Sequence, residues 1–230
     1  MKIYRTESQS QEWLDARRGK VMGSKVKGVR RMSRDPLKRY QTFWEVLAEK
    51  LAIAADGEPP IERGHRLEPE ALDAASKILG IPFEHDPGMW ISDVDDDIGS
   101  SLDGAEPFEE GKLPTYAAEV KCLSSANHLR FVHEDRVARK KSTYRPIDSI
   151  PNEEKHYFRD QVLQPFVVNE KLETMYFILY DDRIILDHLV THIITIKRED
   201  VQHLITENME MEFEALMQIN KLVRELSEPA

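Results

Sequence analysis

Three segments of the chain carry acidic side chains and a lysine at spacings that suit divalent-metal chemistry. Glu119 and Lys121 stand two residues apart in the strand-like run 118–122, so period-2 alternation predicts that both face the same way. Asp103 lies sixteen residues upstream of Glu119 and is followed by a glycine. This spacing fits a neighbouring strand joined by a loop. Glu68 belongs to a helical segment further upstream. Together these residues predict one acidic site with a cationic neighbour.

Carboxylate oxygens are the ligands that Mg²⁺ and Mn²⁺ prefer, and such cations keep open positions for water and phosphate oxygens. A bound cation lowers the pKa of water and neutralises charge that grows on a phosphodiester. A nearby lysine can orient or deprotonate the water, or stabilise the developing charge. Each segment alone also fits a solvated cross-strand ion pair or a simple turn. The order of the segments favours the metal-site interpretation.

The elements that must position this site read as an α/β (mixed α+β) fold, with a central mixed sheet flanked by helices. Helical periodicity marks residues 40–54, 62–79, 124–132, 152–169 and 198–226. Short β-like runs cover residues 81–83, 88–91, 98–102 and 116–122, and longer strands are predicted for residues 175–180 and 189–196. Residues 140–151, with two prolines, read as a loop. We expect one domain over residues 1–230.

Composition narrows the function classes. With 230 residues, 40% hydrophobic and 32% charged, the chain has the composition of a globular protein. A single cysteine, Cys122, excludes a disulfide framework and a four-cysteine iron–sulfur cluster on this chain. The polar residues 1–5 predict no signal peptide, and no apolar run reaches the ~18 residues of a membrane span, so we expect a cytoplasmic protein with no membrane contact.

The net charge of −10 argues against DNA binding by bulk positive charge, yet one segment is basic. Residues 128–145 contain six basic and only two acidic side chains, directly after the predicted Glu119–Lys121 strand. The basic residues are Arg130, Arg136, Arg139, Lys140, Lys141 and Arg145. Non-specific phosphate contacts need little more than such charges, so the segment predicts contact with the DNA backbone. A solvated loop is the alternative.

Five segments, in this order, resemble motifs of one nuclease family: EWLDARRGKVMGSKV, RGHRLEPEAL, SSLDG, AEVKC and RDQVLQPFVV. Their order is similar to that of the PD-(D/E)xK nuclease superfamily. More closely, it resembles the YqaJ-type viral recombinase (phage lambda exonuclease) family. The resemblance covers about residues 12 to 168. It implies a restriction-endonuclease-like core.

The resemblance implies roles for the acidic residues. Asp103, Glu119 and the Val120 carbonyl would hold one Mg²⁺ or Mn²⁺, and Glu68 would support a second ion. Lys121 would position the attacking water.

Further roles follow from the other matched motifs. Gln161 would support the site from the following helix. Arg17, Ser24 and Ser101 match positions that grip the 5′-phosphate of the trimmed strand, which suits a guanidinium and hydroxyls chemically. Where the family has a second phosphate-binding arginine, this chain has Asn127, and Arg130 one helical turn later is a candidate replacement.

The implied activity is 5′ to 3′ digestion of linear double-stranded DNA to mononucleotides, leaving a 3′ single strand for phage-type recombination. The implied partners are duplex DNA ends and a single-strand annealing protein, and the implied assembly is a homotrimeric ring in a bacterial host cell. Two alternatives stay open: a nuclease of other polarity or an endonuclease, and an inert DNA-binding protein of the same fold. A dry ion pair between Glu119 and Lys121 would favour the inert protein.

Overall fold

The computed structural model describes residues 39–53, 58–153 and 156–227, together with residues 11, 12, 15, 18 and 20. Within the three long ranges the helices are α1 (Gln41–Leu51), α2 (Pro60–Leu79), α3 (Ser125–Ala138), a 3₁₀ helix (Pro146–Ser149), α4 (Arg159–Val168), α5 (Asp187–Val190) and α6 (Arg198–Ser227). No described helix has both the length and the apolar character that a bilayer crossing requires.

The described strands form one larger sheet and two small hairpin-like pairs. They are β1 (Glu84–His85), β2 (Met89–Ile91), β3 (Gly99–Ser101), β4 (Gly104–Ala105), β5 (Tyr116–Lys121), β6 (Asn152–Glu153), β7 (His156–Tyr157), β8 (Thr174–Tyr180) and β9 (Thr191–Lys197). The five-stranded mixed sheet has the order β1-β4-β5-β8-β9. Strands β2 and β3 pair separately, as do β6 and β7. The predicted α/β (mixed α+β) class is confirmed.

Helix α2 follows from its sequence. Pro60 begins it, a position where the missing N–H costs nothing, and Gly80 ends it with a φ of +71°. A stripe of small and branched residues at helical spacing is buried along its length. That stripe consists of Leu67, Ala71, Leu72 and Ala75.

Strand β5 lies at the centre of the five-stranded sheet, between β4 and β8. It pairs antiparallel with β4, with Gly104 opposite Ala118 and Ala105 opposite Ala117. Four consecutive residues of β5, from 117 to 120, are buried, as expected for a strand covered on both faces. Glu119 is among these four, so the fold buries a carboxylate at its centre.

Three sequence predictions need correction. The predicted helix over residues 152–169 is wrong at its start, because Asn152–Glu153 pair with His156–Tyr157 as β6 and β7 and α4 begins only at Arg159. The first β-like run is displaced from residues 81–83 to Glu84–His85, where pairing with β4 is available. The predicted strand over residues 189–196 begins at Thr191, because the preceding residues close the short helix α5.

The chain divides into two compact units, each built from three segments. The first comprises residues 1–67, 122–140 and 179–192, and the second comprises residues 68–121, 141–178 and 193–230. All of β1 to β7, together with α4 and α6, belong to the second unit. The expectation of one nuclease domain over residues 1–230 stays a prediction.

The first unit contains a buried ion-pair network. The Arg63 guanidinium, 5% exposed, donates to Asp181 at 2.7 Å and to the carbonyl of Cys122 at 3.4 Å. Arg183 donates to the same Asp181 carboxylate at 2.9 Å and to the carbonyl of Leu123 at 3.2 Å. Burial acts to raise the pKa of Asp181, but hydrogen bonds from Arg183 and Ser125 and the charge of Arg183 hold it below its ordinary value. The network anchors the chain directly after β5.

Candidate active site

The E-x-K pair lies on β5 as the alternation predicts. Glu119 and Lys121 project from the same face, and the Lys121 ammonium donates to the Glu119 carboxylate in a close ion pair. The Glu119 side chain is 8% exposed, whereas that of Lys121 is 21% exposed. The ion pair is therefore buried on its acidic side and reached by solvent on its basic side.

Asp103 occupies the turn between β3 and β4, directly beside the same stretch of β5. Its Oδ2 accepts a hydrogen bond of 2.7 Å from the backbone N–H of Val120. The β4–β5 register, with Gly104 opposite Ala118, brings the turn to this point. Helix α2 packs closely here, because a Cβ at position 104 would lie 2.5 Å from a methyl of Leu72. Gly104 thus allows α2 to approach the Asp103 turn.

Glu68 lies on α2, directly after the buried Leu67. The pKa of Glu119 is raised from 4.5 to about 7, first by burial and further by the Asp103 and Glu68 carboxylates, while the Lys121 ammonium opposes the rise. Electrostatic interaction of this kind requires each of these two carboxylates to lie within reach of Glu119. Asp103 and Glu68 thus each act on Glu119 electrostatically, and a metal site shared by the three carboxylates stays a prediction.

The chemistry of this donor set fits a divalent cation. Mutual repulsion and burial disfavour the charged form of Glu119, and a hard cation among carboxylates relieves both effects. In the part of the chain that the structure describes, no three His, Cys, Asp or Glu side chains already form a ready-made metal-binding group. Binding would therefore require the Glu119 carboxylate to exchange Lys121 for the cation. The role of the Val120 carbonyl as a ligand stays a prediction.

Helix α4 begins next to Lys121. The ammonium lies over the ring of Phe158, 5.3 Å from its centroid, and Phe158 caps the amino terminus of α4. Gln161 follows in the first turn with an exposed side chain. The structure therefore places the start of α4 beside the lysine, with Phe158 as the described contact, and the role of Gln161 stays a prediction. Sequence reasoning missed Phe158, because nothing in the pattern distinguishes its ring from an ordinary core aromatic.

A second glutamine of α4 has an internal role. Gln164 donates to Glu212 of α6 at 3.2 Å and to the carbonyl of Gly99 in β3 at 3.4 Å. It thereby ties two elements to the strand that leads into the Asp103 turn. Ser101, at the end of that strand, is exposed and stands opposite Met89. Its role in phosphate binding stays a prediction, and Arg17 and Ser24 lie outside the described residues.

Much of the basic segment is helical, since α3 extends to Ala138. Arg139 pairs with the fully buried Asp135 at 2.6 Å, and Asp135 also contacts His192 at 2.8 Å. Arg136 donates to the carbonyl of His188 at 3.1 Å. Both arginines therefore have intramolecular partners, which leaves less of their charge for DNA.

Two of the remaining basic residues have described contacts within the protein, and two lysines are exposed in a turn. The Arg130 guanidinium lies 4.4 Å from the centroid of the Phe131 ring, and Arg145 pairs with Asp148 at 2.8 Å. Lys140 and Lys141 are exposed in the turn after α3. Among the predicted DNA contacts, these two lysines are the best presented to a ligand.

Asn127 stands where the family has an arginine. Its backbone N–H donates to the Ser124 hydroxyl at 3.4 Å, so Ser124 caps α3. Its position in the first turn of α3 leaves Arg130 one turn further along the same helix. Replacement of the family's arginine by Arg130 stays a prediction.

A mixed sheet whose central strand carries E-x-K, with an aspartate on the adjoining turn, defines a PD-(D/E)xK-type fold. The family model for the YqaJ-like viral recombinase domain matches residues 12–167. The chain belongs to the YqaJ-like viral recombinase family. The resemblance identified from the sequence motifs is confirmed.

One solved structure supports this fold, and two others show weaker similarity. An alkaline exonuclease from Laribacter hongkongensis is 22% identical, with a TM-score of 0.50 over 95% of this chain and 98% of its own. The same enzyme in complex with dAMP gives a TM-score of 0.48 with the same identity and coverage. A phage-related exonuclease from Haemophilus somnus 129PT is 14% identical, with a TM-score of 0.40 over 85% of this chain and 94% of its own. A comparison with curated proteins finds no similar sequence.

Proposed function

We propose that this protein is a divalent-metal-dependent exonuclease that digests linear double-stranded DNA from 5′ ends to mononucleotides. The observation that carries the proposal is the Glu119–Lys121 pair on β5, with Asp103 hydrogen-bonded to the intervening Val120 N–H, in a chain of the YqaJ-like family. The name of the Laribacter enzyme, an alkaline exonuclease, supports the same activity. The 3′ strand left behind would serve phage-type recombination by single-strand annealing.

Each residue has a role in this proposal. Glu68, Asp103 and Glu119 hold Mg²⁺ or Mn²⁺, two ions per site, with the Val120 carbonyl as a further ligand. When bound, the metal supplies an activated nucleophile and neutralises charge on the phosphate. The Lys121 ammonium, whose side chain is 21% exposed and so open to solvent, orients the attacking water or donates to the scissile phosphate. Gln161 supports the site from α4, and Ser101 contacts the terminal phosphate.

The proposal also includes the partners that the family resemblance implies. A single-strand annealing protein would receive the 3′ strand, and three copies of this chain would form a ring around the duplex. A closed ring retains DNA topologically, which reconciles processive digestion with a net charge of −10. In that arrangement the DNA needs only a small number of cationic contacts from each copy.

Linear duplex DNA labelled separately at its 5′ and 3′ ends tests the activity. With Mg²⁺ we expect release of the 5′ label as mononucleotide, loss of release in EDTA, and a rate lower by about 100-fold or more in Lys121→Ala. Lys112→Ala, which removes an exposed lysine paired with Glu109, is the matched control and should cut at the wild-type rate. Release of the 3′ label, or cleavage of circular DNA, would instead establish the alternative nuclease activities.

One observation favours the second candidate, an inert DNA-binding protein. Glu119 and Lys121 form a close ion pair that is buried on its acidic side, and a dry ion pair is the feature expected of the inert protein. The two candidates differ in Mg²⁺ binding, which isothermal titration calorimetry measures directly. Millimolar or tighter Mg²⁺ binding that Asp103→Asn abolishes supports the nuclease, whereas absence of binding together with absence of cleavage supports the inert protein.

A further inference from the structure

The aromatic contact of Lys121 has no place among the roles assigned so far. The ammonium lies over the Phe158 ring, 5.3 Å from its centroid, within the distance at which a cation is attracted to the negative face of an aromatic ring. Lys121 is thus held by two partners: the Glu119 carboxylate and the Phe158 ring. Both contacts lie within the second compact unit.

Phe158 is itself firmly anchored. Its N–H donates to the Pro151 carbonyl at 3.0 Å, and its carbonyl accepts from the N–H of Val162 at 3.1 Å, in the first turn of α4. The ring packs against the fully buried Phe177, with centroids 5.8 Å apart. A ring fixed by its backbone on both sides and by a core neighbour presents a constant surface to the lysine.

The two partners of Lys121 respond differently to a metal. A cation held by Glu119 takes up the carboxylate charge, so the attraction between Glu119 and Lys121 weakens. The ring quadrupole of Phe158 is not neutralised in this way. A lysine side chain is a flexible four-carbon stem, so its ammonium loses its position easily once a charged partner is withdrawn.

We infer that Phe158 is a positioning residue for Lys121: its ring keeps the ammonium in place when the Glu119 carboxylate turns to the metal. This inference rests on the proposed nuclease function. Phe158 does not contact substrate in this role and acts only through the lysine. This role gives a reason for an aromatic residue at the N-cap of α4, where the side chain makes no capping hydrogen bond.

Kinetics on linear duplex DNA with saturating Mg²⁺ test the role. Phe158→Leu keeps an apolar side chain but removes the ring face, so we expect kcat to fall roughly 3- to 30-fold while KM for DNA ends stays unchanged. Phe158→Tyr keeps the ring and should restore wild-type kcat. Phe83→Leu is the matched control, because Phe83 packs only against the rings of Tyr116 and Tyr176 among the ring contacts described.

A spectroscopic measurement tests the geometry independently of activity. In protein with ¹³C-labelled lysine, protons that lie over a ring face are shifted upfield, and the Lys121 signal is assigned by its disappearance in Lys121→Met. We expect the upfield shift in wild type and in Phe158→Tyr, both in EDTA and with Mg²⁺, and its loss in Phe158→Leu. Circular dichroism melting shows whether each variant is folded.

The outcomes separate the two proposals. An unshifted Lys121 signal in the wild type, loss of the shift on adding Mg²⁺, or wild-type kcat in folded Phe158→Leu would each overturn the role of Phe158. Failure of Phe158→Tyr to restore kcat would also overturn it. An upfield shift in a wild-type protein that releases no nucleotide would refute the nuclease proposal and keep the lysine–ring contact.

Discussion

At the scale of single residues, folding disfavours the charged form of Glu119, which is the form that the proposed metal binding needs. Burial, together with the Asp103 and Glu68 carboxylates, raises its pKa to about 7, against an ordinary value of 4.5. The folded protein therefore holds a proton between about pH 4.5 and pH 7 that the unfolded chain releases. The contribution of this group to stability is complete below pH 4.5 and is lost as the pH rises through 7.

Replacing this carboxylate by its neutral isostere should stabilise the metal-free protein. In EDTA at pH 8 we expect Glu119→Gln to increase the free energy of unfolding by on the order of 1–3 kcal/mol, and at pH 4.5 to leave it unchanged. Urea unfolding at both pH values measures the difference. Glu109→Gln, at an exposed ion pair, should show no such pH dependence. A less stable Glu119→Gln at pH 8 would contradict this account.

The same scale shows what sequence patterns convey. Period-2 alternation predicted that Glu119 and Lys121 share a face, because a strand allows no other arrangement. The contact of Lys121 with Phe158 was not predictable, since it depends on where α4 begins. The pairing of Arg63 with Asp181, across 118 positions, depends likewise on tertiary packing that no local spacing records.

At the scale of elements, the distance between α2 and the Asp103 turn depends on one glycine. Gly104→Ala would place a methyl 2.5 Å from Leu72, whose side chain is buried and has little room to move. We expect a loss of about 1–3 kcal/mol in the free energy of unfolding and weaker Mg²⁺ binding, because α2 carries Glu68. Chemical denaturation and calorimetry measure the two effects.

Two further variants control this prediction. Gly104→Ala combined with Leu72→Ala should be less destabilised than the sum of the single substitutions, because the added methyl fills part of the space that Leu72 leaves. Gly64→Ala, at a helical glycine with no atom within 4 Å of the added methyl, should be neutral or slightly stabilising. Additivity in the double variant would show that the Gly104–Leu72 contact does not set the spacing.

Element prediction succeeded where a single physical signal dominates. Helix α2 has an amphipathic stripe, a proline at its start and a glycine at its end, so its predicted range of residues 62–79 nearly matches Pro60–Leu79. Residues 152–157 contain polar and aromatic residues that suit either structure. The pairing of Asn152–Glu153 with His156–Tyr157 as β6 and β7 becomes visible only in the folded chain.

At the scale of the whole molecule, the negative net charge must be reconciled with the proposed DNA binding. The chain has a net charge of −10, and Arg136 and Arg139 have intramolecular partners, so we expect Lys140 and Lys141 to supply much of the local attraction. Lys140→Ala/Lys141→Ala should weaken DNA binding and reduce the slope of log K against log salt by about 1 to 2. Fluorescence anisotropy at several salt concentrations measures the slope.

The matched control removes two lysines that stand beside acidic neighbours. Lys112 pairs with Glu109 and Lys171 pairs with Glu170, so Lys112→Ala/Lys171→Ala changes the net charge equally without touching the turn after α3. An equal loss of affinity in both double variants would show that DNA responds to total charge alone. The overall sign of the charge could be predicted from composition, but the pairing of the two arginines could not. Arg136 bonds to the His188 carbonyl of α5, and Arg139 pairs with Asp135 where α3 extends beyond the predicted residues 124–132.

The burial of Glu119 among other carboxylates has an evolutionary consequence. On the proposed function, we expect conversion of this glutamate to glutamine to remove activity and, in the absence of metal, to strengthen the fold. Selection for cleavage must therefore work continuously against selection for stability at this one position. In a lineage where cleavage is no longer selected, we expect this carboxylate to be among the first groups replaced. The inactive descendants should then have a higher melting temperature than their active ancestor.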